Sequence, residues 1–280
     1  MTRIAALAGS ARPVSDAPMP ELTDDELDRY ARHIVLPQVG GAGQQRLKAA
    51  RVAIVGAGGI GAGVIPALAG AGIGHLTIID GDRVELSNLQ RQPLYRSAEV
   101  GMAKVRLASD FVLARNPHVA VTAITERVEA GNASDLLANH DLVIDGTDNF
   151  ATRLLVSDTC VALGIPLLSA AAQQFQGQVA LFRARPCYRC FVGDAFDADD
   201  CDNCAELGVL GALTATVGSF AALIAIRRIT AIGDDPAGTL HLFDGLTLAW
   251  RRLRISSDPL CRSCGQSSPQ ISPPPCGPSS

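Results

Sequence analysis

The chain has almost no net charge to act with. Its 24 Lys and Arg face 28 Asp and Glu, a balance of −4 over 280 residues, so no basic field draws it to nucleic acid or to an anionic membrane. Any phosphate chemistry must rest on local groups. A clean membrane-spanning run is missing too. The longest apolar stretch, residues 209–232, is interrupted by Thr214, Thr216, Ser219, Arg227 and Arg228, which suits a buried core helix better than a span. No secretory leader is legible either, because Arg3 and the short apolar run 4–8 lead straight into Arg12, Pro13 and Asp16. A cytoplasmic location is therefore expected. There is no internal repeat and no composition shift that forces a second folding unit, while 48% hydrophobic content excludes a disordered chain and supports one large core.

The ends lack a sustained period. Residues 1–20 are Ala/Pro-rich and 266–280 Ser/Pro-rich, so both are expected to be mobile and 21–265 to form the folded unit. Thr23-Asp24-Asp25-Glu26 has capping-box spacing and predicts a short helical arm carrying Arg29, Tyr30, Arg32 and His33, ended by a glycine break at 40–43. From Arg51 the pattern reads strand, glycine turn, Ala-rich helix to Gly72 and strand to Asp80. Pro66 inside that helix should kink it or shift its start. Helices over 102–115 and 151–163 alternate with strands at 119–124 and 142–145. Further strands, a long apolar helix near 209–231 and two late strands around 239–255 come after Pro166. The alternation predicts a Rossmann-like α/β fold, a doubly wound, mostly parallel sheet covered on both faces.

Six of the eight cysteines form three Cys-x-x-Cys pairs, which points to metal or thiol chemistry. Cys160 fits a core thiol and Cys276 a tail residue. Cys187 and Cys190 make a four-thiolate zinc site with either Cys201/Cys204 or Cys261/Cys264. Spacing does not choose.

Gly56-Ala57-Gly58-Gly59-Ile60-Gly61 follows a strand and opens a helix, the arrangement that lets amides face a phosphate. Asp80 closes the next strand, where a carboxylate takes ribose hydroxyls. These two features alone also describe an NAD(P)-dependent oxidoreductase. The segment beyond Asp80 is less expected of such an enzyme: Asp82, the run Ser87-Asn88-Leu89-Gln90-Arg91-Gln92, and Lys104 set polar and cationic groups past the ribose position. Arg91 and Lys104 suit a triphosphate attacked at its α-phosphate, whose charge they would neutralise. In Asp145-Gly146-Thr147-Asp148-Asn149, Asp145 reads equally as a turn former and as a ligand. Asp148 is the better candidate for magnesium.

GAGGIG, HLTIID, LSNLQRQ, GMAK, DGTDN, CYRC, CAELGVLG and a final C-x-x-C occur in this order. With them the chain resembles the MoeB/ThiF/HesA branch of ubiquitin-activating enzymes over about residues 23–265. That resemblance implies a mixed eight-stranded sheet and a homodimer. It implies ATP with Mg2+, and adenylation of the terminal Gly-Gly of a ubiquitin-like sulfur carrier of the MoaD or ThiS type, for molybdopterin or thiamine biosynthesis. By matching motif it implies nucleotide contacts from Gly56, Gly58, Gly59, Gly61, Asp80, Asp82, Ser87, Asn88, Gln90, Arg91, Lys104 and Asn149, with Asp148 at magnesium. It places Arg32 in the neighbouring subunit's site and favours Cys187, Cys190, Cys261 and Cys264 as the Zn2+ ligands. Cys204 is left as a thiol that acts after adenylation, and Cys201 is extra. No sulfur-donating domain is legible, so a separate persulfide donor is implied. The remaining alternative is a non-catalytic carrier-binding scaffold.

Overall fold

The computed structural model describes residues 19–193 and 208–265. Thr23 and Glu26 complete the expected capping box on helix α1 (Asp24–Arg29), and α2 (Ala31–Ile34) comes next. The glycine break at 40–43 is not a break. Only Gly40 takes a left-handed φ of 57°, and the chain continues at once as α3 (Gly40–Ala49). The remaining small residues serve packing, since a Cβ on Gly43 would come within 2.9 Å of Val39 and 3.7 Å of Thr230.

The expected strand–turn–helix–strand unit is present as β1 (Arg51–Val55), α4 (Gly61–Ala71) and β2 (His75–Ile79). Helix α4 runs through Pro66, so its start is not displaced. Then come α5 (Lys104–Arg115), β3 (Ala120–Ile124), α6 (Ala133–Leu137), β4 (Leu142–Asp145), α7 (Phe150–Leu163), β5 (Leu167–Gln173), β6 (Gln176–Phe182), α8 (Tyr188–Val192), α9 (Gly211–Thr230), β7 (Thr239–Asp244) and β8 (Ala249–Arg254). The strands form one mixed sheet in the order β3-β2-β1-β4-β5-β6-β7-β8, parallel from β3 to β5 and antiparallel from β5 to β8.

Strand alternation feeds two cores. Val52, Ile54, Leu142 and Ile144 face α4, α5 and α9, whereas Ala53, Val55 and Val143 face α6 and α7. Each fully buried Val, Leu or Ile contributes about 1.5–3 kcal/mol relative to exposure. Helix α9 is long and apolar enough to cross a membrane, but it packs on α4, β5 and β6 and supplies Leu213, Val217, Ala221 and Ile224 to the core. Its approach to α4 depends on small residues, because a Cβ on Gly63 would sit 3.1 Å from the Gly218 Cα.

The chain winds outward from β1 to β3, then returns to place β4 on the other side of β1. That reversal opens a crevice above the carboxyl ends of β1 and β4, the position where open α/β sheets take ligands.

Candidate functional site

A cleft of about 610 Å³ lies there. Its floor is the turn after β1. Gly56 has φ 93°, and a Cβ on it would meet the Gly146 carbonyl at 3.2 Å, so both features call for glycine. A Cβ on Gly61 would run into the Gly56 carbonyl oxygen, which explains how the first turn of α4 comes down onto the strand end. The Tyr95 hydroxyl donates to Ala57 O at 2.7 Å and braces the same turn. Thr214 of α9 abuts Gly59 from the other side.

Asp80 holds two parts of this floor together. One carboxylate oxygen accepts the Ala57 N–H at 2.7 Å and the other the Asp82 N–H at 2.7 Å. Beyond it, Asp82 meets Lys104 Nζ at 3.2 Å and Arg127 at 2.9 Å. Partial burial raises the Asp82 pKa, but the two cations outweigh it and hold the carboxyl below its usual value. Asn88, Gln90 and Arg91 complete this wall, with Arg91 donating to Ser87 O at 3.2 Å.

The opposite wall is the turn after β4. Asp145 is fully buried and does not line the cleft; one of its oxygens accepts the Thr147 N–H at 3.0 Å and the Thr147 hydroxyl at 2.7 Å. Burial pushes its pKa up. It therefore shapes the turn that presents exposed Asp148 to the cleft. Asn149 caps α7 by accepting the Thr152 N–H at 2.8 Å. Arg153 donates to Thr147 O and ties the turn to Ala170 O at 3.3 Å.

Of the residues expected around a nucleotide, Gly56, Gly58, Gly59, Asp80, Asp82, Asn88, Gln90, Arg91, Lys104, Asp148 and Asn149 line this one cleft. Gly61 and Ser87 do not, although Gly61 shapes the turn beneath it. Arg32 is exposed on α2 and also lies outside the lining. Its arm is anchored to its own chain, with Tyr30 buried and Asn116 donating to the Tyr30 hydroxyl at 2.8 Å. Gln92, the end of the polar run past the ribose position, also lines the cleft, whereas Arg127, Arg153, Gln178, Tyr188 and Thr214 were not anticipated from the sequence. Arg127 was findable, since it stands just past the end of β3 at the ligand-binding edge. Gln178 and Thr214 carried no local signal.

Among the described residues, the sulfurs of Cys187, Cys190, Cys261 and Cys264 lie within 4.8 Å of one another. The edges 187–190, 187–261 and 190–264 measure 4.0, 3.6 and 3.4 Å. A tetrahedral zinc with bonds of ~2.3 Å has sulfur–sulfur edges of about 3.8 Å, so the cluster fits that ion. The Asp258 N–H points at Cys190 Sγ from 3.4 Å, as amides do toward thiolates. Burial pushes the Cys187 thiol up and Cys264 up to about 11, while backbone and thiol hydrogen bonds overcome burial at Cys261 and lower it. Cys201, Cys204 and Cys276 lie outside the described residues. Tyr188, between Cys187 and Cys190, lines the cleft and packs edge-on to Phe182 at 5.6 Å.

Comparison with known proteins agrees with this geometry. Residues 30–263 match the ThiF family. The chain is 44% identical to a sulfur carrier protein adenylyltransferase of Thermus thermophilus, covering 87% of this chain and 92% of that one. It is 39% identical to the molybdopterin-synthase adenylyltransferase of Escherichia coli K12, over 89% of this chain and 100% of the relative. A crystal structure of E. coli MccB with ATP superposes with a TM-score of 0.75 at 23% identity, covering 87% of this chain and 75% of the other, which is a likeness of fold.

Proposed function

Because the chain belongs to the ThiF family, we propose that it adenylates the C-terminal glycine of a ubiquitin-like sulfur-carrier protein at the expense of ATP. One observation carries the reading. Separate segments of the chain bring Gly58, Gly59, Asp80, Asn88, Arg91, Lys104 and Asp148 into one cleft at the sheet's reversal point. An oxidoreductase needs none of the last four.

The glycine turn and the first turn of α4 offer amides to the phosphates, and Asp80 takes the ribose. A carboxylate oxygen of the carrier attacks the α-phosphorus in line, and the bond from that phosphorus to the bridging oxygen breaks. Pyrophosphate leaves and an acyl-adenylate remains; the nucleophile is already ionised, so no proton has to move. Arg91 and Lys104 neutralise charge at the reacting and departing groups. Mg2+ at Asp148 would supply further charge neutralisation on the phosphates. Zn2+ on the four cysteines would be structural, because a closed four-thiolate site leaves no open position. In this reading Arg32 completes the site of a second copy in a homodimer, Cys204 acts after adenylation, and the sulfur comes from a separate persulfide donor.

Exchange of labelled pyrophosphate into ATP tests the proposal. Exchange should require a carrier ending in Gly-Gly and vanish when the last glycine is removed. A panel of purified carriers decides between molybdopterin and thiamine synthesis. Protection by NAD without carrier-dependent exchange would overturn the reading.

A further inference from the structure

Lys104 is in an awkward place. It is the first residue of α5, where the helix end carries positive partial charge, and its side chain is only 6% exposed. An ammonium placed against a helix dipole and cut off from water is held there only by a carboxylate. Among the described residues its ion pair is with Asp82, at 3.2 Å.

The backbone holds the two residues side by side. Lys104 N donates to Asp82 O at 3.1 Å, Val84 N to Met102 O at 2.9 Å and Gly101 N to Val84 O at 2.8 Å, which zips the two segments together. Asp82 N is in turn fixed on the Asp80 carboxylate at 2.7 Å. The Asp82 main chain is thus fixed on both sides, which keeps its carboxylate within reach of Lys104. Its other oxygen is occupied by Arg127 at 2.9 Å. A carboxylate with both oxygens committed to cations is a poor direct partner for a polyanionic triphosphate, which it repels.

From this geometry we propose that Asp82, grouped by sequence with the nucleotide contacts, is instead a positioning residue: it fixes the place and direction of the Lys104 ammonium and does not touch the nucleotide. The inference rests on the nucleotide reading of the cleft. It also joins the two ends of the nucleotide, since Asp82 takes its own position from the ribose-side carboxylate and passes it to the phosphate-side lysine.

The test is a double-mutant cycle on the intact chain. Binding of α,β-methylene-ATP is measured by titration calorimetry, and kcat and KM are measured by pyrophosphate exchange. Asp82→Asn should weaken analogue binding or lower kcat by roughly tenfold or more. Asp82→Glu, which keeps the charge but displaces the ammonium, should lose severalfold less. In a Lys104→Met background either Asp82 change should cause no further loss, because nothing is left to position and Asp82→Asn only relieves repulsion of the triphosphate. Equal losses in both backgrounds, or no loss in the first, overturn the inference alone. A wild-type chain that binds no analogue overturns the nucleotide reading and this inference with it. If Asp82→Asn does not fold, Asp82→Glu in the two backgrounds gives the same decision.

Discussion

His140 is buried with both ring nitrogens engaged, Nδ1 at 3.0 Å from Leu137 O and Nε2 at 2.8 Å from the Thr77 hydroxyl. A carbonyl only accepts, so Nδ1 carries a proton, while the Thr77 hydroxyl can serve Nε2 as donor or as acceptor. Burial lowers its pKa, as it does at His75 and His241. The unfolded chain takes up protons near the ordinary value of about 6.5 and the folded chain resists until lower pH. The unfolded state therefore binds more protons as pH falls, and stability should drop below pH about 6.5. Melting curves from pH about 7.5 to about 5.5 should show this, with His140→Gln flattening part of the slope; an unchanged slope would remove His140 from the account. At this scale the sequence supplied residue types but not environments. Asp145 and Asp148 share one short turn segment, and only burial made one a turn former and the other a cleft residue.

At the scale of elements, the cysteine cluster joins α8, which comes after β6, to the segment after β8. A metal there would pin two edge connections and, through Tyr188, one wall of the cleft. Cys261→Ser should lose about one equivalent of zinc per chain and lower the melting temperature by roughly 5 °C or more. Zinc retained by that variant but lost on Cys201→Ser or Cys204→Ser would show that the ligand set is wrong. The helical arm shows where local reading stopped short. Glycines at 40–43 look like a break because glycine is a poor helix former, yet α3 forms because tertiary contacts with α9 override propensity.

For the whole molecule, the proposed homodimer has a definite consequence. Arg32 is absent from the lining of its own cleft, and its arm is tied down by Tyr30 and by Arg29 donating to Arg115 O at 3.0 Å. In the proposed homodimer this arginine serves the triphosphate bound by the other copy. Its removal should cost on the order of a hundredfold or more in rate, as loss of a stabilising cation does. Asp148→Ala should be inactive for a different reason, loss of the magnesium position. Mixing Arg32→Ala and Asp148→Ala homodimers under subunit exchange should restore part of the exchange activity, because one site of each mixed dimer receives both intact residues. Mixed dimers seen by native mass spectrometry without returning activity would place Arg32 elsewhere.

The sequence by itself determined the doubly wound order of elements, the glycine turn with its two succeeding carboxylates, and the existence of three Cys-x-x-Cys pairs. These are local patterns of period, turn chemistry and spacing, set by a few neighbouring residues. Only the tertiary structure decided which cysteine pairs meet, because 74 residues separate Cys187 from Cys261 and their meeting depends on how β7 and β8 add to the sheet. Only it showed that Asp82 is spent on Lys104 and Arg127, since that depends on distant segments pairing across the cleft floor. The lining from Gln178 and Thr214 was equally out of reach, because a side chain's place in a cleft is set by the packing of whole strands and helices, which no local pattern records.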